Sequence, residues 1–269
     1  METFMQCPQK YKYSYIDNLE KIEKGEESND REWGSAIHAG LQAYYNGGDW
    51  TAIKQAFNAA YPVGLKEDEM AKTPEGGIKC LEAYTAHYHE QDKNWKVIGT
   101  EVSDRFEFDG IEWELHIDLI AENLQGGGIY FWDHKTTASK LAFGYWKKYE
   151  LDSQISAYSE YIRLKYGQCS GALINGISIG HRQRMYKGEP AGFHFKFERQ
   201  IFNRTKEQLE YWKQNMRVWT KKLDGAILDG LWGLHEGMLC NYCEFRELCI
   251  SSNDEQVKEV LYQTKESGE

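Results

Sequence analysis

The chain has 269 residues, a formal net charge of −10 and six cysteines. That length suits one large domain or two small ones and can bury a sizeable core. High aromatic content, with 9 Trp and 18 Tyr, and only 4 Pro exclude a disordered chain and long Pro-rich linkers.

In chain order, residues 31–45 read as a helix with Ile37, Leu41, Tyr44 and Tyr45 on one side. Residues 51–61 and 75–93 also read as helices, and the polar stretch 62–74, with Pro62, Gly64 and Pro74, reads as a loop. Near residue 97 the period changes. Residues 97–108 and 111–121 are strand-like and flank Asp109-Gly110, a strong hairpin signal. A third strand is expected at 129–135, a helix at about 150–166, strands at 171–180 and 192–200, and a helix at about 205–223. The order predicts an α/β (α+β) core with a central mixed sheet flanked by helices. No stretch approaches the ~18 apolar residues of a membrane span. Met1 to Lys10 lacks the apolar run of a secretory signal, so a cytoplasmic location is expected. In that reducing setting spaced cysteines indicate metal or redox chemistry rather than disulfides.

The turns allow the strands to be registered. With Asp109-Gly110 as a two-residue turn, Glu101 faces Asp118; with the next turn centred on Gln125-Gly126, Asp118 faces Asp133. Opposed residues have Cβ atoms about 4.5–5.5 Å apart. Lys135, two residues beyond Asp133, shares its face. Three acids this close repel unless a proton or a cation intervenes. Mg²⁺ or Mn²⁺, bound by carboxylates together with water and phosphate oxygens, resolves the conflict, and the adjacent lysine can position an attacking water. This set of parts suits phosphodiester hydrolysis. The bland alternative is an exposed sheet face of mixed charge.

Asp118 followed by Asp133-His134-Lys135 resembles the PD-(D/E)xK nuclease superfamily. Gly34-Ser-Ala-Ile-His38 and Gln154-x-x-x-Tyr158 resemble the G-x-x-x-H and Q-x-x-x-Y motifs of its RecB-like branch. The resemblance implies a restriction-endonuclease-like core, with a single nuclease domain over 1–250, a helical subregion at 30–95, the core proper at 96–223 and a tail at 251–269. It implies that His38, Asp118, Asp133 and the His134 carbonyl are metal ligands, with Glu101 as a further acid and Lys135 as the catalytic lysine. Gln154 and Tyr158 lie one helical turn apart, and would contact DNA or brace the site.

Cys240, Cys243 and Cys249 form a C-x₂-C-x₅-C run, and Cys7 stands near the start. Four thiolates can hold a [4Fe–4S] cluster or Zn²⁺. The one-early, three-late split resembles the CRISPR-associated Fe–S exonucleases and the AddB nuclease domain, which implies an iron–sulfur staple over 238–250 and Cys7. Such a staple closes a long loop, whose entropy cost grows with length. Cys80 and Cys169 fit neither motif and are expected to be small buried apolar residues.

The resemblance implies a prokaryotic or phage-encoded Mg²⁺- or Mn²⁺-dependent deoxyribonuclease, an exonuclease on single strands or DNA ends. Recombination, repair, phage replication and CRISPR adaptation are its settings, each with protein partners. Acidic composition is unusual for a DNA binder, so phosphate contact requires a local basic strip. Lys147, Lys148, His181, Arg182, Arg184 and Lys187 are the candidates. The competing readings are a non-catalytic Fe–S or zinc nucleic-acid-binding module of a larger complex, and a redox protein. The intact acids and lysine disfavour the first, and the lack of a flavin or dinucleotide fingerprint disfavours the second.

Overall fold

Asp109 and Gly110 both have positive φ, 57° and 78°. These are the angles of a tight turn whose twist matches that of paired strands. The turn sets the register of the two longest strands in the computed structural model, which describes residues 1–22, 29–61, 72–182, 184–185 and 191–265. In chain order the elements are α1 (Glu2–Gln6), α2 (Pro8–Tyr11), a π-helical turn (Lys12–Ile16), β1 (Leu19–Lys21), α3 (Asn29–Tyr45), α4 (Trp50–Ala60) and α5 (Pro74–Asp92). There follow β2 (Trp95–Phe108), β3 (Ile111–Asn123), β4 (Ile129–Thr137), α6 (Phe143–Lys147), α7 (Ser153–Tyr166), β5 (Gly171–Arg182) and β6 (Gly192–Phe202). The chain continues through α8 (Lys206–Asp229), a 3₁₀ turn (Met238–Tyr242), α9 (Arg246–Ile250), α10 (Glu255–Leu261) and β7 (Tyr262–Thr264). It divides into two compact units, Met1–Glu27 with Glu210–Glu269, and Ser28–Leu209.

The second unit carries a five-stranded mixed sheet in the order β2-β3-β4-β5-β6. All neighbours are antiparallel except β4 and β5. A parallel pair needs a crossover, and α7 supplies it. Helix α7 starts at Asp152, whose carboxylate accepts the Gln154 and Ile155 amides, and ends at Gly167 in the left-handed region with φ 78°. Its apolar side, with Ile155, Tyr161 and Ile162, packs against Ile117, Phe131 and Ile174 of the sheet. The opposite sheet face is covered by α3, α4 and α5, through Trp33, Ile37, Leu41, Phe57, Leu81 and Tyr84 against Ile177 and Ile179. This α/β architecture, a mixed sheet between helices, is that of a restriction-endonuclease-like core.

Side chains of β4 alternate between these faces. Asp133 and Lys135 pair in register with Ile174 and Gly176, and so face α6 and α7. His134 pairs with Asn175 and faces α3 and α5. There a buried polar cluster holds it. The Arg199 guanidinium meets Asp92 at 2.5 Å, donates to Tyr45 and Tyr84, and lies over the Tyr88 ring. Asn175 Nδ2 donates to Tyr84 Oη and reaches His134 Nδ1, both at 2.7 Å.

In the first unit, Leu19 to Lys21 of β1 pair with Tyr262 to Thr264 of β7. Tyr13, Leu19, Phe245, Leu248 and Tyr262 bury together. Residues 255–264 are therefore structured parts of this unit, whereas the sequence reading has a tail beyond 250.

The Arg199–Asp92 pair is nearly out of water, at 10% and 9% side-chain exposure. Removing one partner strands the other, and Arg199→Met should cost about 3–5 kcal/mol in chemical denaturation. The double variant Arg199→Met with Asp92→Leu should recover most of that loss.

Candidate metal centre

The counted register holds where the strands pair. Thr100↔Leu119 and Val102↔Ile117 bracket Glu101 and set it opposite Asp118. Ile120↔Phe131 and Leu119↔Trp132 follow the second count, in which Asp118 would meet Asp133. The ladder between β3 and β4 stops there, although β3 stays paired with β2 as far as Ile111 and β4 with β5 as far as Thr137. The sheet forks, and Asp118 stands in the fork. Its Oδ2 accepts the His134 amide at 2.6 Å, taking the place of a strand carbonyl.

His38 reaches the fork from α3. One turn earlier, a Cβ on Gly34 would lie 3.2 Å from Thr136 Oγ1 of β4. The glycine lets the helix approach the strand, and the i, i+4 spacing then carries His38 to the site. His38 Nδ1 is 3.5 Å from Asp118 Oδ1. One ligand atom from each of His38, Glu101 and Asp118 lies within 4.8 Å of the others, close enough for a single cation. Glu101 occupies the left-handed region, φ 46°, in mid-strand. A non-glycine residue held there costs roughly 1–2 kcal/mol.

Asp133 is turned toward Lys135, whose Nζ lies 2.9 Å from its carboxylate. It is therefore not among the three groups that converge within 4.8 Å. The His134 ring is buried, stacked on Tyr45 with an interplanar angle of 9° and set edge-on to His38.

Burial and mutual charge set the protonation states. Burial alone would raise the Asp118 pKa, but the His38 hydrogen bond and charge and the His134 amide outweigh it and hold it below the ordinary range. Asp133 is raised, first by burial and then, despite Lys135, by repulsion from Asp118. Partial desolvation and Asp118 raise Glu101. Burial would depress His38, but Asp118, Glu101 and Asp133 raise it overall. Lys135 is likewise raised by Asp133 against the effect of burial. His134, buried, is pushed down to about 3 and stays neutral.

On α7, Tyr158 Oη donates to the His116 carbonyl at 2.9 Å, its ring packs on Phe131, and Gln154 hydrogen-bonds its hydroxyl. Tyr158 thereby ties α7 to β3, and Gln154 holds its hydroxyl. Lys147 and Lys148 are exposed at α6, and Lys148 lies over the Tyr145 and Tyr149 rings. Lys135, Asp152 and Asp133 all perturb the Lys148 ammonium, behind burial. Asp152, two residues before Gln154, caps α7 through the Gln154 and Ile155 amides. His181 packs on Phe193 near the end of β5, Arg182 ends that strand, and Arg184 is exposed. Lys187 lies outside the described residues.

In the first unit, Cys7, Cys240, Cys243 and Cys249 line one cavity of about 530 Å³. The other two cysteines differ from each other: Cys80 is buried as expected, whereas Cys169 is only half-buried.

The raised His38 has a testable consequence. Its ion pair supports the metal-free fold below the ordinary imidazole pKa, and that support is lost as pH rises through the folded value. A cation needs the neutral ring, so binding must expel the proton. Mn²⁺ affinity measured by calorimetry should tighten between about pH 6 and 8, by up to about tenfold per unit. His38→Gln should flatten the dependence; a wild-type affinity indifferent to pH would remove His38 from the ligand set.

No curated protein sequence matches the chain. Among solved structures it is similar to one named "Putative exonuclease" from Eubacterium rectale, at 16% identity and a TM-score of 0.47, covering 81% of this chain and 75% of that one. It is also similar to the protein SSO0001, at 12% identity and a TM-score of 0.32, covering 93% and 96%. Both superpositions are loose, and neither bears on function. No described helix is long and apolar enough to cross a membrane. Sequence comparison with protein families is decisive where these are not: residues 1–250 match a single family throughout, and the chain belongs to the PD-(D/E)XK nuclease superfamily.

Proposed function

We propose that this nuclease is a metal-dependent deoxyribonuclease of the RecB-like branch, cutting phosphodiester bonds at the fork between β3 and β4. The observation that carries the reading is the meeting of His38, Glu101 and Asp118 within 4.8 Å, with the Asp133–Lys135 pair on the adjoining strand. His38, Asp118, Asp133 and the His134 carbonyl are the proposed ligands of Mg²⁺ or Mn²⁺, with Glu101 as a further acid. When bound, the cation supplies positive charge to the scissile phosphate and acidity to a water. Lys135 holds that water through Nζ. Tyr158 and Gln154 keep α7 against β3, and so keep Asp118 in place.

Hydrolysis of single strands or DNA ends is the proposed activity, exonucleolytic in kind, serving recombination, repair, phage replication or CRISPR adaptation alongside protein partners. Lys147, Lys148, Arg182, Arg184 and Lys187 are proposed to meet phosphates. Lys135→Ala and Asp118→Asn should each lower cleavage of end-labelled DNA by about a hundredfold or more with the fold intact by circular dichroism. Undiminished cleavage in both variants would sink this assignment.

We also propose a [4Fe–4S] cluster on Cys7, Cys240, Cys243 and Cys249. The four cysteines line one cavity of about 530 Å³, and four thiolates can hold either a [4Fe–4S] cluster or zinc. Anaerobic purification should yield iron and sulfide in equal amounts, and Cys243→Ser should lose both and lower the melting temperature. Zinc without sulfide would replace the cluster with a mononuclear site.

A further inference from the structure

The catalytic strand has neighbours on the same face whose side chains the proposed chemistry leaves unused. In register across the sheet, Lys135 of β4 meets Gly176 of β5, and Gly176 meets Glu198 of β6. One row back, Asp133 meets Ile174, and Ile174 meets Gln200. Two strand spacings, about 9.5 Å, therefore separate Lys135 from Glu198 along the sheet. Gly176 has no side chain to fill the interval. A Cβ there would fall 2.8 Å from Trp146 and 2.9 Å from Leu141, so both side chains lie directly on bare backbone.

Beyond them opens a concavity of about 270 Å³, whose walls include Phe143, Trp146, Lys147, Glu150, Glu198 and Gln200. Its volume is just below the range usual for small-molecule pockets, and suits one flat ring system. Phe143 stands at its edge, 78% exposed, with a bare aromatic face. An isolated exposed aromatic means little. Here it adjoins Lys147, Glu198 and Gln200, two strands across from Asp133 and Lys135 with Trp146 and Leu141 packed between. Gln200 Nε2 donates to Glu198 Oε1 at 2.9 Å, and Lys196 lies 3.2 Å from the same carboxylate.

We infer that this concavity receives one unpaired base of the DNA strand being cut, stacked on Phe143, with its amino group donating to Glu198 and Gln200. The Glu198 carboxylate would repel a phosphate, whereas the amino groups of adenine, cytosine and guanine can donate to it. Lys147 and Lys148 lie on the same short segment as Phe143 and complement the backbone on either side of the base. A paired base has its amino group engaged with its complement, so the pocket selects single strands. Thymine, lacking an amino group, fits least well. The inference rests on the nuclease reading for the identity of the strand, but its test does not require cleavage.

Binding of short fluorescent oligonucleotides, followed by anisotropy without divalent metal, reads binding apart from cleavage. Phe143→Ala should weaken binding of single strands about tenfold, the effect of losing one base–aromatic stack. The melting temperature should hold, because the ring is exposed, and Phe143→Trp should restore affinity. Oligo-dT should bind more weakly than oligo-dC or oligo-dA, and Glu198→Gln, which adds a donor, should narrow that gap. Duplex bound as tightly as single strands, an unchanged affinity in Phe143→Ala, or equal affinity for all three homopolymers would overturn the pocket. A wild type that shows these binding effects but cuts no DNA with Mg²⁺ or Mn²⁺ would keep the pocket and overturn the nuclease site.

Discussion

Asp118 is the group on which this site depends, because it joins two strands at the point where they part. Its carboxylate takes the His134 amide that a strand carbonyl would otherwise accept, and it faces His38 on the other side. A second carboxylate, Asp133, lies on the facing strand, and a third, Glu101, lies opposite on β2. Like charges so placed cannot all ionise freely. The metal-free protein divides the problem between local partners. His38 and a backbone amide hold Asp118 ionised, Lys135 faces Asp133, and Glu101 carries the strain of a left-handed backbone. Strain of this kind persists only where surrounding structure enforces it, and it is concentrated at functional sites.

The enforcement comes from beneath the sheet. His134 is held on its ring by Asn175 and Tyr45, and those in turn by Tyr84, Arg199 and Asp92. Its backbone meanwhile faces the fork. A neutral, buried imidazole fixed in this way cannot rotate without stranding polar atoms in a medium that penalises them. The polar cluster is thus a support for a peptide group: it sets where the His134 amide and carbonyl point, and so where Asp118 rests. Gly34 does the equivalent for α3, since its missing side chain sets how close the helix carrying His38 comes to β4.

Much of this was legible in the sequence, for reasons that are themselves local. A two-residue turn fixes a register, and with it the facing of Glu101 and Asp118. A 3.6-residue period places α3, α4 and α5 to within a residue or two. What was not legible depends on contacts between residues far apart in the chain. No local pattern marks the end of the β3–β4 ladder at Leu119↔Trp132, or the turning of Asp133 toward Lys135. Arg199 and Asp92 are separated by 107 positions, and nothing near either one announces the other. The β1–β7 pairing, across more than two hundred residues, was missed for the same reason, and the segment beyond residue 250 read as a tail. Nothing local singles out Gly176 within β5; only its register with Lys135 and Glu198 gives it meaning.

The overall charge bears on how such a site can hold an anionic polymer. With a net charge of −10, long-range electrostatics oppose the approach of a nucleic acid, and the carboxylate cluster at the fork adds to the opposition. A bound cation reverses the local field, but only over a Debye length of about 8–10 Å. Binding therefore has to draw on contacts that act at short range. Stacking of a base on an aromatic ring is such a contact, since it is insensitive to the sign of the distant field. The exposed Phe143 ring offers it, at the edge of a concavity whose wall includes Glu198, two strands across from Lys135. A protein with this charge balance gains more from one well-placed ring than a basic nuclease would, because it has less phosphate attraction to rely on.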